Sequence, residues 1–109
     1  MSKISPYESG ELTDSIFLIL LAMLKPVHGY KIMQSIQEMT NGEVVIGPAT
    51  MYTTLRKMKE AGWINETNTE DMKILYLITS KGKEILKGDY TRRKKIIKLA
   101  EMEFGGDNL

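Results

Sequence analysis

The chain has 109 residues, with 15 Lys and Arg against 14 Asp and Glu, one His and no Cys, so its formal charge is +1. A chain of this length forms one small domain that buries about two-thirds of its unfolded surface, which favours function on an exposed surface or at a subunit interface. Without cysteine there is no disulfide or thiolate site, and one imidazole does not make an acid–base relay. We therefore expect no enzyme activity, no metal site and no cofactor.

The longest apolar run, residues 16–24, would extend only about 13 Å as a helix, against about 30 Å for the core of a bilayer. Three acidic residues precede that run, Glu8, Glu11 and Asp14, whereas a secretory signal begins with basic residues. We therefore expect neither a membrane span nor export. A reducing, cytoplasmic setting fits the absence of cysteine.

The first predicted helix begins near Thr13 and Asp14, which form a plausible N-cap. Residues 1–11 lack a hydrophobic period and are predicted to form a flexible arm. The run that begins at Ile16 is apolar on all sides, which is typical of a helix buried on several sides and, in so short a chain, predicts contact with a partner subunit. Lys25 and Pro26 end this helix, because the residue before a proline disfavours helical torsion angles.

Two more helices are predicted between residues 28 and 62. In the second helix, over residues 28–40, the inward stripe is Ile32, Ile36 and Met39. The third helix opens with Gly47 and Pro48 and ends at Gly62, and its inward stripe consists of Met51, Leu55 and Met58. Helical spacing puts mostly polar and basic residues on the opposite side, namely Thr50, Thr53, Lys57 and Glu60, with Thr54 and Arg56 at the flanks.

The pattern then changes to a β-hairpin and a last long helix. Residues 63–67 and 73–79 are rich in β-branched and aromatic side chains and are separated by a turn-forming stretch, which predicts two paired strands. Thr79 or Ser80 begins a helix over residues 80–104, and residues 105–109 are predicted to be a disordered tail. Apolar residues return at helical spacing along this helix, on a face interrupted by Arg93: Leu86, Tyr90, Ile97, Ala100 and Phe104.

Three helices followed by a hairpin are the element order of a winged helix-turn-helix, whose third helix enters the major groove of DNA. The predicted fold class is therefore mainly α with a small β-hairpin, with the winged helix over residues 12–79 and a C-terminal dimerisation helix over residues 80–104. A groove about 12 Å wide admits one helix with short polar or basic outward residues, as the third helix has. Taken alone, those residues could equally be an ordinary solvated helix face.

Several motifs in consistent order from about residue 12 to 82 carry a family resemblance. They are His28-Gly29-Tyr30, Pro48-Ala49-Thr50-Met51-Tyr52, Leu55, Glu60-Ala61-Gly62 and Tyr76-Leu77-Ile78-Thr79-Ser80-Lys81-Gly82. This pattern resembles the PadR family of transcriptional regulators, in particular its short subgroup with a single C-terminal helix. The resemblance implies a winged-helix homodimer, usually a repressor that binds an inverted repeat in double-stranded DNA and is often released by a small molecule.

The expected DNA contacts combine this resemblance with the chemistry of each side chain. The free N–H groups at the start of the second helix can hold a phosphate beside His28 and Tyr30, although His28 could equally only satisfy the backbone. Threonines of the third helix can contact bases or phosphates, whereas its cations neutralise phosphates. The predicted DNA-binding residues are His28, Tyr30, Thr50, Tyr52, Thr53, Thr54, Arg56, Lys57 and Lys73.

The dimer surface is implied by the resemblance, because in the family the last helix pairs with the first helix of the other subunit. The predicted interface residues are Ile16, Ile19, Leu20, Met23, Leu86, Tyr90, Arg93, Ile97, Ala100 and Phe104. Drug-binding relatives carry a tryptophan where this chain has Arg93, so the sequence does not identify an effector. Trp63, the only tryptophan, is predicted to pack in the core against the third helix.

The wing departs from the basic wing that is typical of the family. Glu66, Glu70 and Asp71 surround a single Lys73, and acidic groups are repelled by phosphates, so the wing contributes weakly to DNA binding or not at all. This acidic wing and the small net charge favour an alternative, a winged helix that binds proteins without sequence-specific DNA binding. The basic run from Arg92 to Lys98 is interpreted as a solvated face balanced by Glu101 and Glu103.

Overall fold

The computed structural model describes residues 4–105. Its elements in chain order are α1 (Pro6–Ser9), α2 (Asp14–Leu21), β1 (Val27–His28), α3 (Gly29–Met39), α4 (Pro48–Glu60), β2 (Ile64–Asn68), β3 (Ile74–Ile78) and α5 (Ser80–Glu103). The predicted fold class is confirmed: the chain is mainly helical, with a winged helix-turn-helix followed by one long helix. Residues 1–3 and 106–109, where the outer arm and most of the disordered tail were expected, lie outside the described part.

The helices begin where local chemistry predicts. Thr13 precedes α2 and its hydroxyl oxygen accepts the N–H of Ile16 at 3.2 Å, whereas Thr79 precedes α5 and accepts the N–H of Gly82 at 3.1 Å. Both bonds satisfy an N–H that has no partner within its helix. At the start of α4, Gly47 offers no side chain and Pro48 occupies the first turn, where its missing N–H costs nothing.

The sheet has three antiparallel strands in the order β1–β3–β2. The hairpin of β2 and β3 was expected, and Ile64 pairs with Ile78 at its base. The added strand β1 pairs Val27 with Tyr76 and His28 with Leu75. Sequence patterns did not predict this strand, because two residues are too few to show a period of two. Its effect is to tie the start of α3 to the wing.

The core lies between α2, α3, α4 and the sheet. The inward stripe of α4 is buried as predicted, and so is Trp63. The stripe of α3 is buried at Ile32 and Ile36, but the prediction for Met39 is wrong: as the last residue of α3 it remains 48% exposed. The fully or nearly buried hydrophobic residues are Leu12, Ile16, Ile19, Leu20, Met23, Ile32, Ile36, Ile46, Met51, Leu55, Met58, Trp63, Ile64, Tyr76, Ile78 and Leu86.

One side of the apolar run over residues 16–24 packs into the core of its own protomer. Side chains that the sequence assigned to a dimer interface are at most 8% exposed and belong to the core, namely Ile16, Ile19, Leu20 and Met23. A side chain already enclosed by its own subunit cannot also contact a partner, so these four assignments are corrected. The accessible side of this segment is formed instead by Phe17, Leu21 and Leu24.

The segment before α2 has more regular structure than the flexible arm that was predicted. Ser5 caps the single turn α1, and Gly10 ends it with a φ of 78°, a left-handed conformation that suits glycine. The ring of Tyr7 packs against that of Trp63 at a centroid distance of 5.0 Å. The arm therefore lies on the core, at the point where the hairpin begins.

Candidate nucleic-acid interface

The exposed face of α4 carries short polar and basic side chains. Thr50, Thr53 and Lys57 are exposed, as helical spacing predicted, because the buried residues of α4 occupy the other side. Thr54 is half-buried and its hydroxyl donates to the carbonyl oxygen of Thr50 at 2.8 Å. Thr54 therefore has only acceptor capacity left for a ligand, whereas Thr50 and Thr53 have both donor and acceptor capacity.

Gly29 brings α3 and α4 together at one edge of this face. A Cβ at Gly29 would lie 3.2 Å from the hydroxyl oxygen of Tyr52 and 3.3 Å from Cε2 of Tyr76, which is closer than ordinary van der Waals contact. The glycine of the His28-Gly29-Tyr30 motif thus makes room for two tyrosine rings. Tyr52 keeps about half of its surface exposed, so part of this side chain remains accessible to a ligand.

His28 and Tyr30 form the next part of this surface. Their rings stack with centroids 5.9 Å apart and planes 8° apart, and the Nζ atom of Lys73 lies 5.7 Å from the centre of the Tyr30 ring. Nδ1 of His28 is 3.4 Å from the carbonyl oxygen of Ile74 in the wing. These groups surround a cleft of about 200 Å³ at the N-terminus of α3, lined by His28, Gly29, Tyr30, Tyr52, Lys73, Ile74 and Tyr76.

A second cleft separates α4 from β2, and it contains one ion pair. Lys59 forms an ion pair with Glu66 across the cleft, and Arg56 lines the same space. Burial raises the pKa of Tyr76 at its floor, and the negative charge of Glu66 raises it further. Lys59 was not among the predicted site residues, because its pairing with Glu66 of β2 is visible only in the folded structure.

The tip of the wing also has an internal charge partner. Thr69 donates a hydrogen bond to Asp71, and this bond lowers the pKa of that carboxyl. Lys73 lies 3.7 Å from the same carboxylate. Two of the three acidic wing residues, Glu66 and Asp71, therefore face a lysine of this chain, which reduces the negative charge that the wing presents to a phosphate.

The model of the transcriptional regulator PadR-like family matches residues 17–88, more than half of the chain. The chain belongs to the PadR-like family of transcriptional regulators. The resemblance inferred from the motifs is thereby confirmed, and with it a DNA-binding regulator as the general class. No curated protein sequence matches this PadR-like chain.

Solved structures of regulators share the fold of this PadR-like protein. A transcriptional regulator from Clostridium thermocellum is 21% identical with a TM-score of 0.71, covering 84% of this chain and 96% of its own. A PadR family regulator from Eggerthella lenta is 16% identical with a TM-score of 0.69 and coverages of 83% and 77%. A PadR family regulator from Clostridium difficile is 23% identical with a TM-score of 0.63 and coverages of 82% and 96%.

The last helix of this PadR-like regulator contains a buried carboxylate that the sequence gave no reason to single out. Asp89 is 2% exposed, and its oxygens accept hydrogen bonds from Arg92 Nε and Nη2 at 2.9 and 2.7 Å, from Arg93 Nε at 2.6 Å and from the N–H of Leu12 at 3.2 Å. Burial raises the pKa of Asp89, but these hydrogen bonds outweigh it and hold the pKa below its usual value.

Arg93 extends the same cluster toward the N-terminal segment. It donates to Asp14 at 2.7 Å and to the carbonyl oxygen of Leu12 at 2.8 Å, and its guanidinium lies 4.7 Å from the centre of the Phe17 ring. Arg92 and Arg93 are therefore paired with carboxylates of their own protomer, which corrects their interpretation as a solvated face balanced by Glu101 and Glu103, whereas the place of the one-third-exposed Arg93 at a subunit interface stays a prediction. Both guanidinium groups are used within the protomer, because the buried Asp89 requires compensating charge.

The predicted interface residues of α5 divide into buried and exposed sets. Leu86 belongs to the core, so its assignment is corrected, whereas Tyr90, Ile97 and Phe104 are about half exposed and Ala100 is partly exposed. An apolar groove of about 220 Å³ between α2 and α5 adjoins this stripe and is lined by Phe17, Leu21, Leu24, Lys83, Leu86, Lys87 and Tyr90. Other exposed hydrophobic residues of α5 lie off this stripe, namely Ile96, Leu99 and Met102.

Over the part of the chain that the structure describes, the regulator has neither a membrane-spanning helix nor a cluster of metal ligands. Between residues 4 and 105, no helix combines the length and the apolar character needed to cross a bilayer. Over the same residues, no group of three His, Asp or Glu side chains comes together as metal ligands do.

Proposed function

We propose that this PadR-like chain is a homodimeric transcriptional repressor that binds an inverted-repeat operator with α4 in the major groove. The observation that carries the proposal is the exposed row of Thr50, Thr53 and Lys57 on α4, next to the cleft at the N-terminus of α3. Short side chains let a helix approach base edges, and the adjacent cleft offers N–H groups, a histidine and a lysine to the phosphate backbone.

In this proposal the site residues divide into base readers and phosphate ligands. Thr50 and Thr53 point to the base edges, where their hydroxyls hydrogen-bond and their methyl groups contact thymine. The proposed phosphate ligands are Lys57 on the exposed face of α4 and five side chains that line the two clefts, namely His28, Tyr30, Tyr52, Arg56 and Lys73. The hydroxyl of Thr54 donates to the carbonyl oxygen of Thr50, so toward DNA it acts only as a hydrogen-bond acceptor.

The proposed dimer surface is the exposed apolar stripe of α5 with the adjoining groove. Tyr90, Ile97, Ala100 and Phe104 share one side of α5 with that groove. Lys83 and Lys87 flank the groove, whereas Glu101 and Glu103 flank the far end of the stripe, so an antiparallel partner helix brings opposite charges together. Such a dimer presents two α4 helices to successive major grooves about 34 Å apart.

Repression follows if the operator overlaps a promoter, because the bound dimer then excludes the polymerase. We also propose that a small molecule releases the protein from DNA. The groove between α2 and α5 is the site at which such a molecule would bind. A compound that enters this groove competes with the partner helix and changes the distance between the two α4 helices, which alters DNA affinity.

The proposal is tested by selecting binders from random duplex DNA at physiological salt. We expect enrichment of an inverted repeat with half-site centres about 10 base pairs apart. A transcription assay on the genomic promoter that contains the repeat then tests repression. If no sequence is enriched, the proposed function is wrong and the alternative, a winged helix that binds proteins through its acidic wing, takes its place.

The role of α4 is tested by the salt dependence of binding to the selected repeat. Replacing Lys57 by Ala, or Arg56 by Ala, should reduce the slope of log affinity against log salt by about 1 per phosphate contact in each half-site. Lys98→Ala on α5 is the matched control, since it removes one exposed lysine outside α4. Equal slopes for all three variants and the parent would exclude α4 as the contacting helix.

A further inference from the structure

The N-terminal residues Ser5–Leu12, here called the N-terminal brace, connect two parts of the fold that are far apart in sequence. At its start, Tyr7 packs on Trp63, the residue between α4 and β2. At its end, the N–H of Leu12 donates to Asp89 and its carbonyl oxygen accepts from Arg93, both on α5. One short segment thus contacts both the connection between α4 and β2 and the middle of α5.

Asp89 is the last buried residue of α5, and together with Arg93 it attaches the middle of this helix to the N-terminal segment of its own subunit. The buried residues of α5 are Gly82, Leu86 and Asp89, and from Tyr90 to Glu103 no residue is buried. Leu86 contributes an apolar contact, which has no preferred direction. The bonds that join α5 to the brace are directional and charge-assisted: the N–H of Leu12 donates to Asp89, and Arg93 donates to the carbonyl oxygen of Leu12. They therefore define the angle at which α5 leaves the winged helix, while the bonds from Arg92 and Arg93 hold the Asp89 carboxylate in place within α5.

A small change of that angle has a large effect at the far end of the helix. Beyond Asp89, the 14 residues Tyr90–Glu103 of α5 extend over about 21 Å at 1.5 Å per residue. Over this length, a tilt of about 10° displaces the tip by about 4 Å. Because one base-pair step is about 3.4 Å, such a displacement corresponds to about one base pair of half-site spacing.

We propose that the N-terminal brace fixes the direction of α5 relative to α4, with Asp89 as the positioning residue, and thereby sets the half-site spacing that the dimer accepts. The expected effect on half-site spacing rests on the proposed function, whereas the orientation of α5 concerns a single protomer and can be tested without DNA. The family model matches residues 17–88, so both the brace and Asp89 lie outside the matched region.

The direction of α5 is measured by electron paramagnetic resonance between two spin labels in one protomer. The chain has no cysteine, so Gln37→Cys on α3 and Lys98→Cys on α5 give two specific labelling positions, both exposed. Labelled protein is diluted with unlabelled protein, so that distances within one chain dominate. We expect a narrow distance distribution in the parent and a broad one after Asp89→Asn, which places amide donors against two arginines.

Two further variants separate the brace from general damage to the fold. Tyr7→Ala loosens the other end of the brace without changing Asp89 and should broaden the same distribution. Asp71→Asn is the matched control: it makes the same chemical change at an exposed carboxylate whose partners, Thr69 and Lys73, belong to the wing, and it should leave the distribution narrow. Circular dichroism confirms that each variant is folded at the temperature of measurement. Distributions as narrow as the parent's in both Asp89→Asn and Tyr7→Ala would overturn the proposal.

The consequence for DNA is measured on the selected inverted repeat, with the spacing of its half-sites changed one base pair at a time. The parent should prefer one spacing, whereas Asp89→Asn should bind neighbouring spacings almost equally with unchanged affinity for a single half-site. A sharp preference retained by Asp89→Asn would contradict the role of the brace in spacing. If the parent binds no repeat, the proposed function fails, and the spin-label distances alone decide whether the brace orients α5.

Discussion

Gly82 of α5 lies directly against the carbonyl oxygen of Trp63, so that a Cβ on Gly82 would collide with it. The same carbonyl oxygen accepts the N–H of Thr79 at 2.9 Å, and the hydroxyl of Thr79 donates to the carbonyl oxygen of Gly62 at 2.7 Å. The long helix therefore begins in backbone contact with the start of the hairpin. This contact and the N-terminal brace meet at the same residue, Trp63.

We predict that Gly82→Ala destabilises the protein, because the neighbouring atoms are backbone and cannot move aside. Overpacking of this kind costs about 1–3 kcal/mol, which lowers the melting temperature by several degrees in a domain of this size. Gly88→Ala is the control within the same helix: its Cβ meets nothing within 4 Å, and the helix gains roughly 0.5–1 kcal/mol. Thermal unfolding followed by circular dichroism measures both, and equal effects would contradict the proposed contact.

Local signals in the sequence predicted the fold well. The capping threonines Thr13 and Thr79, the proline at the start of α4 and the inward stripe of Met51, Leu55 and Met58 act within one or two helical turns. Such signals depend on residues close in sequence, so they can be read without knowing the fold. The order of elements then follows, and with the family motifs it leads to the class of regulator.

Features that depend on distant residues were missed or assigned to the wrong place. Ile19 and Leu20 are apolar in any sequence analysis, but only the packed fold shows that they face their own core and not a partner. Asp89 stands within a charged helix and gains its importance from the N–H of Leu12, 77 positions away in the chain. Burial and pairing of this kind are set by tertiary structure, which no periodicity encodes.

We predict that Gly29→Ala weakens DNA binding more than it weakens folding. The new methyl group would press on the hydroxyl of Tyr52 and on the ring of Tyr76, and the exposed Tyr52 can yield while the buried Tyr76 cannot. Tyr52→Phe separates the two effects, because it removes the hydroxyl without the crowding. If this hydroxyl binds a phosphate, its loss costs about 1.5–3 kcal/mol in binding and little in stability. Affinity for the selected operator and chemical unfolding measure the two quantities.

The proposed dimer makes a prediction about two opposite sides of α5. Ile97 and Leu99 are 58% and 61% exposed, and two residues along a helix are turned by about 200°. Ile97→Asp places a charge on the proposed interface and should give a monomer, whereas Leu99→Asp changes the opposite side and should leave the dimer intact. Light scattering coupled to gel filtration gives the mass of each variant. A monomeric parent, or dissociation by Leu99→Asp alone, would exclude this interface.

The buried Asp89 predicts how stability depends on acid. Its pKa is held below the usual value of 3.8 in the folded protein, because the hydrogen bonds from Arg93, Arg92 and Leu12 outweigh the opposing effect of burial. A carboxyl whose pKa is lower when folded stabilises the protein fully above its unfolded pKa, and this contribution is lost as the pH falls toward the folded value. The free energy of unfolding, measured with urea between pH 7 and pH 3, should therefore fall below about pH 4.

Asp89→Asn should lower the stability at pH 7 and flatten this acid dependence, since no proton is then taken up at position 89. Asp71→Asn provides the comparison, because the pKa of Asp71 is also lowered, chiefly by the hydrogen bond from Thr69, but its side chain is exposed at the tip of the wing. Solvent screens an exposed pair, so this variant should follow the curve of the parent. An Asp89→Asn profile that runs parallel to the parent would mean that another group causes the acid dependence.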